Sequence, residues 1–257
     1  MRDNVLASTS GALPRVVGDV SDDPQRVSLR TVQHAVQEAV TRVLGQPVAI
    51  QGASRTDAGV HAKAQCATFV REREDIGPND DKLVEAINSR LPDDVLITGC
   101  RRVHEAFNPI GDCTGKGYRY RLHTGRARPL WDRPFVHHVR QTLDVDAMRD
   151  AAVLFIGEHD FAAFAKAGHG RESTVRTVFE CTAGAHGEHG VAIDIAGSGF
   201  LHNMVRIIAG TLVEIGRGRL TPDDITAALT TGDRRKAGPT LPPTGLCLEW
   251  ITYPEGV

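Results

Sequence analysis

The sequence lacks the features that mark disulfide-rich, zinc-binding and membrane proteins. Its 257 residues include only five cysteines, an odd number, widely spaced and without a CxxC pair. This pattern argues against zinc clips and a disulfide framework and predicts buried free thiols. No uninterrupted apolar run approaches the roughly eighteen residues of a membrane span, and the opening residues have no apolar signal core. We expect a soluble, cytoplasmic chain without membrane association.

Cofactor-binding motifs are also missing. The chain has no GxxxxGK[ST] loop, which binds nucleotide phosphates, and no HExxH motif, which binds zinc. The pairs of glycines spaced two apart lack the third glycine and the preceding strand of a dinucleotide site. We predict no cofactor and no metal.

Charge is unevenly distributed along the chain. The formal net charge is only -2, but residues 101–140 carry nine basic and three acidic residues, a local balance of +6. Residues 71–94 balance to -4. Of the 30 basic residues 25 are arginines, which suit bidentate contacts with phosphate. One anion-binding surface would explain this pattern. Solvated faces whose charges cancel in space explain it equally well.

Hydrophobic periodicity predicts helices that alternate with strands. One helix is predicted from Leu29, with Ser28 as its cap and Gly45 as its stop. The other predicted helices are DDKLVEAINSRL, DVDAMRDAAVLFIG, FLHNMVRIIAGTLVEIG and TPDDITAALT, the last with Thr221 as its cap. The predicted strands are PVAIQG, AQCATFV, VLITGCRRV, GYRYRLH, the hairpin VRTVFECTAG with GVAIDIAG, and LCLEWITYP. Paired strands without regular crossover spacing favour an α+β architecture with a largely antiparallel sheet.

One segment between two predicted strands carries the chemistry. Asp57 lies in the sequence GASRTDAGVHA, whose small residues allow a nucleic-acid backbone to approach closely. A loop carboxylate two residues from Arg55 is suited to act as a nucleophile or a base. For a bare Arg-Thr-Asp tripeptide, the simpler explanation is an aspartate that caps its own turn.

This segment resembles the signature of the TruA-type tRNA pseudouridine synthase family, in which the aspartate is catalytic. Further segments resemble that family in the same order, and together they span roughly residues 29–253. They are Lys116–Tyr120, Gly157–Phe161, Val175–Thr177, Gly199–Arg206 and Gly238–Leu246. Several matching segments in order make the resemblance specific.

The resemblance implies the pseudouridine synthase fold, in which helices flank a mostly antiparallel central sheet and two fused lobes enclose the active-site cleft. We place the N-terminal lobe, with the catalytic loop, at residues 29–110 and the C-terminal lobe at 111–257. Residues 1–28 form an atypical segment without the family's usual first strand, because its Tyr-Asp-Gly and Gly-Trp-Gln peptides are absent. We expect residues 1–27 to be largely mobile, unless Ala12–Val17 supplies a short edge strand.

The resemblance further implies the isomerisation of uridine to pseudouridine at positions 38, 39 and 40 of the tRNA anticodon stem-loop. The reaction is cofactor-independent, the partner is tRNA, and the family leads us to expect a homodimer. Asp57 then attacks the ribose or the uracil ring, or assists deprotonation of the sugar. Arg55 helps to extrude the base and Tyr118 stacks on it. Arg206 pairs with the catalytic carboxylate.

Structural explanations compete with these roles. Tyr118 also fits a core tyrosine that shares one strand face with Tyr120. Arg206 also fits a helix arginine whose charged end extends to solvent. Four further residues are candidate RNA contacts: Arg119, Arg121, His202 and Asn203. For His202, a core histidine with its hydrogen bonds satisfied inside the protein is the commoner outcome.

Two other functions compete with a synthase. One is an RNA-binding pseudoenzyme whose activity is impaired because the N-terminal strand is missing. The other is a hydrolase that uses Asp57 as its nucleophile and releases free base. The joint presence of Arg55, Asp57 and Tyr118 argues against the first, and the matching segments argue against the second.

Overall fold

The chain divides into two compact units. The computed structural model describes residues 3–11, 31–73, 75–166 and 173–255, and for residues 3–11 it describes the backbone alone. The first unit runs to Thr114 and resumes at Trp250, and the second unit is Gly115–Glu249. Within the described ranges, none of the helices combines the length and apolar character that crossing a bilayer requires.

The first unit packs two helices against a sheet. Its helices are α1 (Val32–Leu44) and α2 (Asp80–Asn88), and its strands are β1 (Asp3–Gly11), β2 (Gln51–Gly52), β3 (His61–Arg71) and β4 (Leu96–Val103). Strand β1 pairs antiparallel with β3 on one side and β4 on the other, and β2 pairs with β3. The core between helices and sheet includes Leu44, Phe69, Ile87 and Ile97.

The ends of α1 are set by local chemistry. The side chain of Thr31 accepts a hydrogen bond from the backbone N–H of His34, which makes Thr31 the N-cap. Gly45 follows the helix with φ 63°, a left-handed conformation that favours glycine. The predicted stop at Gly45 is therefore confirmed. The helix begins later than the sequence predicted, and Ser28 lies outside the described residues.

Strand β1 differs from the expectation that the chain lacks a first strand. Ala7 lies opposite Ala67 of β3 and Cys100 of β4, so β1 is an inner strand of this sheet. The residues DNVLASTSG do not contain the peptides by which the family's first strand is recognised. Pairing on both sides stabilises a strand whose own sequence is only weakly strand-like. The alternative edge strand at Ala12–Val17 lies outside the described residues.

The second unit also combines helices with a sheet. Its strands are β5 (Gly115–Thr124), β6 (His137–Val139), β7 (Gly157–Asp160), β8 (Val175–Ala185), β9 (Gly190–Gly197) and β10 (Leu246–Thr252), the last of which ends in the first unit. The order β5-β9-β8-β7 is antiparallel throughout, and β6 pairs parallel with β5. Its helices are α3 (Val145–Ala152), α4 (Met204–Gly216) and α5 (Pro222–Thr231). Helices on mostly antiparallel strands confirm the predicted α+β class.

Candidate active site

The loop that carries Asp57 is anchored on β3. The backbone N–H of Ala53 donates to the carbonyl of Cys66 at 2.8 Å. The side-chain amide of Gln65 accepts from the N–H of Ser54 at 3.2 Å and donates to the Ser54 carbonyl at 2.6 Å. These three bonds fix the start of the loop against a strand, which limits how far the residues that follow can move.

The tip of this loop is a tight turn. The N–H of Val60 donates to the backbone carbonyl of Asp57 at 3.0 Å. Gly59 lies within the turn at φ 84°, where a side chain would be strained. Asp57 is half-buried and Arg55 is exposed. The glycine in the RTDAG sequence therefore has a conformational reason, and the turn holds the aspartate at the point where the loop reverses.

Tyr118 lies on β5 in the second unit. It is 8% exposed and faces the same side of the sheet as Tyr120, as the strand alternation predicted. Its ring packs edge-to-face against Phe200, with ring centroids 5.3 Å apart and an interplanar angle of 89°. This contact fixes the orientation of the ring, and a fixed aromatic ring is suited to stack on a base.

Arg206 lies in the first turn of α4 and is bound to protein groups. Its Nε donates to the carbonyl of Leu241 at 2.7 Å, and its Nη1 donates to Oδ1 of Asn203 at 2.8 Å. Asn203 itself has φ 66°, the one non-glycine residue with positive φ among the described residues. Arg206 is half-buried and two of its guanidinium nitrogens bind protein groups, so its charged end does not simply extend to solvent.

The segment from Gly238 to Gly245 lies before β10 in the chain and contacts both α4 and β5. The N–H of Gly238 donates to the hydroxyl of Thr211 at 2.8 Å. A Cβ on Gly210 would lie 1.9 Å from the carbonyl oxygen of Pro239, so only glycine allows this approach. Together these two contacts dock the segment whose Leu241 carbonyl binds Arg206. Sequence reasoning matched the segment to the family but did not find this positioning role.

The second end of the segment is held by β5. The hydroxyl of Tyr120 donates to the carbonyl of Pro242 at 2.7 Å, and burial raises the pKa of this phenol. A Cβ on Gly245 would lie 2.7 Å from the carbonyl oxygen of Arg121. The segment is thus fixed at both ends, which fixes the position of the Arg206 guanidinium.

The other predicted contacts have different surroundings. Arg119 forms a bidentate ion pair with Asp194, at 2.7 and 3.1 Å, which raises the pKa of the arginine. The Nε of Arg121 is buried and has no acceptor among the described residues. His202 is exposed, and its carbonyl accepts from the N–H of Lys166. RNA contact by Arg119, Arg121, His202 and Asn203 stays a prediction.

The structure brings some of the predicted residues together. Arg55 and Asp57 share one loop of the first unit, and Asn203 contacts Arg206 in the second. Tyr118 also belongs to the second unit. It lies on β5, the strand whose Tyr120 binds Pro242 of the segment from Gly238 to Gly245. A carboxylate on an anchored turn, an oriented aromatic ring and a positioned guanidinium are groups that suit bond rearrangement at a nucleotide.

Comparison with known proteins places these features in a family. A family model described as tRNA pseudouridine synthase matches residues 151–254. The chain is 41% identical to "tRNA pseudouridine synthase A 2" of Clostridium perfringens over 223 residues, which are 87% of this chain and 90% of that protein. It is 42% identical to "tRNA pseudouridine synthase A" of Pelobacter propionicus, over 86% of this chain and 89% of that one. The identity to "tRNA pseudouridine synthase A" of Solidesulfovibrio magneticus is 45%, over 87% and 82%.

Proposed function

Since the chain belongs to the tRNA pseudouridine synthase family, we propose that it isomerises uridine to pseudouridine in tRNA, with Asp57 as the catalytic carboxylate. The observation that carries the proposal is the anchored GASRTDAGVHA loop. In it Asp57 lies between Ser54, whose carbonyl accepts from Gln65 of β3, and Gly59, whose φ is positive. The relatives named above, which match this chain over most of its length at about 40% identity, support the same activity for this chain. The target uridines are those at positions 38, 39 and 40 of the anticodon stem-loop, the enzyme acts as a homodimer, and it acts in the cytoplasm.

The reaction moves one bond within one nucleotide. The bond between N1 of uracil and C1′ of ribose breaks, the ring turns, and C5 bonds to C1′ while the C5 proton is lost and N1 gains a proton. Asp57 can attack the ribose, attack the uracil ring or assist deprotonation of the sugar. Each route needs an ionised carboxylate at a fixed point, which the anchored turn supplies.

Base extrusion gives Arg55 and Tyr118 their roles. A stacked uracil cannot turn in place, so the target nucleotide must leave the helix. Arg55 is exposed and two residues from the carboxylate, a position suited to fill the space that the base leaves. Tyr118, oriented by Phe200, offers the flipped base a stacking surface that offsets about 1 to 3 kcal/mol of the cost.

Arg206 acts as the cation of the site. Two of its donors are engaged by Leu241 and Asn203, so its guanidinium is positioned before substrate arrives. A positioned arginine keeps a partner carboxylate ionised and oriented. The pairing of Arg206 with Asp57 is part of the proposal.

The pseudoenzyme alternative loses its motivating observation. It rested on an absent first strand, whereas β1 occupies an inner position in the sheet of the first unit.

An assay of both products separates the three functions. The protein is incubated with tRNA transcribed without modifications, and pseudouridine and free uracil are measured together. A synthase forms pseudouridine without free uracil. Free uracil without pseudouridine identifies a hydrolase, and binding without either product identifies a pseudoenzyme. A matched transcript with cytidine at positions 38, 39 and 40 is expected to give no pseudouridine, and undiminished product from it contradicts the proposed positions.

A further inference from the structure

An exposed loop follows β5 in the second unit. Residues 125–135, with the sequence GRARPLWDRPF, are called the 125–135 loop here. Trp131 is 93% exposed and Leu130 is 73% exposed. These two adjacent apolar side chains form an exposed patch, and such a patch with basic residues around it is suited to bind a ligand.

The first residues of this loop are anchored by hydrogen bonds. Nε2 of His123 lies 3.2 Å from the carbonyl oxygen of Ala127, and Nε2 of His138 lies 2.8 Å from that of Gly125. A carbonyl can only accept, so each imidazole donates from Nε2. The N–H of Gly125 also donates to the carbonyl of Val139. The loop therefore presents Trp131 from a fixed base.

The loop also carries part of the positive charge of residues 101–140. Its arginines, Arg126, Arg128 and Arg133, are exposed, and within the described part of the chain none of the three forms an ion pair. Arg102 and Arg119 of the same stretch are instead paired with carboxylates. Three arginines against one acidic residue make the loop a site for a polyanion.

The far end of the loop adjoins the candidate site. Its last turn, Arg133–Phe135, packs against Pro243–Gly245. Those residues continue the segment that carries Leu241, the partner of Arg206. A nucleic acid bound at the second unit's part of the site can thus extend onto the loop.

We propose that the 125–135 loop binds the tRNA substrate, with an unpaired base stacked on Trp131 and neighbouring phosphates at Arg126, Arg128 and Arg133. This inference rests on the proposed function, because it takes tRNA as the substrate. Every base has a π face, so the stacking does not depend on sequence. The loop carries three arginines and only one acidic residue, and this excess of positive charge favours a polyanion such as RNA over a protein partner.

Tryptophan fluorescence tests the contact directly. The chain has two tryptophans, so Trp250→Phe leaves Trp131 as the single reporter. Titration of this variant with unmodified tRNA is expected to quench its emission in a saturable way. Emission that saturating tRNA leaves unchanged overturns the proposal.

Binding and turnover measure its contribution. Trp131→Ala is expected to weaken tRNA binding by about 5- to 150-fold, because stacking on one base is lost. Trp131→Phe keeps a ring and should retain most of the affinity. For turnover, Trp131→Ala should raise KM and leave kcat nearly unchanged, since the loop does not touch the reacting bond. Equal affinity of Trp131→Ala and the unmodified protein overturns the proposal.

The arginines are tested by salt dependence. The triple change of Arg126, Arg128 and Arg133 to Gln should lower the log–log salt slope of tRNA binding by roughly 2 to 3. Arg90→Gln removes one exposed arginine of the first unit and is the control outside the loop. Sedimentation of the protein without RNA tests a different occupant of the loop. If Trp131→Ala lowers the molar mass of the protein, the loop binds a second copy of the chain and the RNA contact is wrong.

The outcomes also separate this inference from the proposed function. Saturable quenching without any pseudouridine product supports the loop contact and rejects the enzymatic proposal. Normal pseudouridine formation with no effect of Trp131→Ala on binding or KM rejects the loop contact alone.

Discussion

At the scale of single residues, Asp57 is the only carboxylate of its loop. Asp57→Asn is expected to lower turnover by roughly three or more orders of magnitude, because no neighbour in the turn supplies a replacement. The affinity for tRNA should change little. Single-turnover formation of pseudouridine measures the effect, and Asp93→Asn, at an exposed carboxylate elsewhere in the first unit, is the control. Near-normal product with Asp57→Asn would remove the basis for its role.

His137 gives the stability of the protein a pH dependence. Burial, with Arg217 and His138 nearby, lowers the pKa of this imidazole below its usual value of about 6.5. The unfolded chain therefore takes up the proton first as pH falls, and stability is lost progressively below about pH 6.5. We expect Tm to fall between pH 7.5 and pH 5.5, and to fall less in His137→Gln. His34→Gln, at an exposed histidine, should keep the full pH dependence. An equal fall in both variants contradicts this assignment.

At the scale of elements, the sequence predicted most helices because their apolar spacing and caps are local. Thr221 and Gly45 show this, since the structure places both at helix ends. Strands were harder to predict because their partners are remote in sequence. PVAIQG forms a strand only at Gln51–Gly52, and Val48 and Ile50 are instead buried in the core. Strand β1 was missed for the same reason.

The candidate site was predictable to a similar extent. The family motif located Asp57, Tyr118 and Arg206, whereas the residues that position them depend on tertiary contacts. The bond from Gly238 to Thr211 joins residues 27 positions apart, and no local pattern indicates it.

Thr211 allows a test of this docking. Its buried hydroxyl donates to the carbonyl of Ile207 and accepts from the N–H of Gly238. Thr211→Val keeps the shape but leaves that N–H without its acceptor, which should cost about 1 to 3 kcal/mol of unfolding free energy. Thermal unfolding measures the change, and Thr230→Val, on the exposed side of α5, should have little effect. Equal Tm values for the two variants would contradict the docking role.

At the scale of the whole molecule, the net charge of -2 does not predict how the protein binds a polyanion. We expect affinity for tRNA to fall steeply with salt, because arginines of residues 101–140 displace counterions with a slope of roughly 0.7 to 0.9 for each neutralised phosphate. Binding measured between 50 and 200 mM salt tests this. A slope near zero would show that the basic stretch does not contact RNA.

The return of the chain to the first unit affects how the protein is made. The hydroxyl of Tyr253 donates to the carbonyl of Pro109 at 2.9 Å, and its ring packs against Phe107. Residues translated after the second unit are thus needed by a unit whose other residues end at Thr114. At roughly 5 to 20 residues per second, translation of the intervening second unit takes about 7 to 27 s. A nascent chain therefore leaves its first unit incomplete on the ribosome through that interval, and the two units are finished in the reverse of their order in the gene.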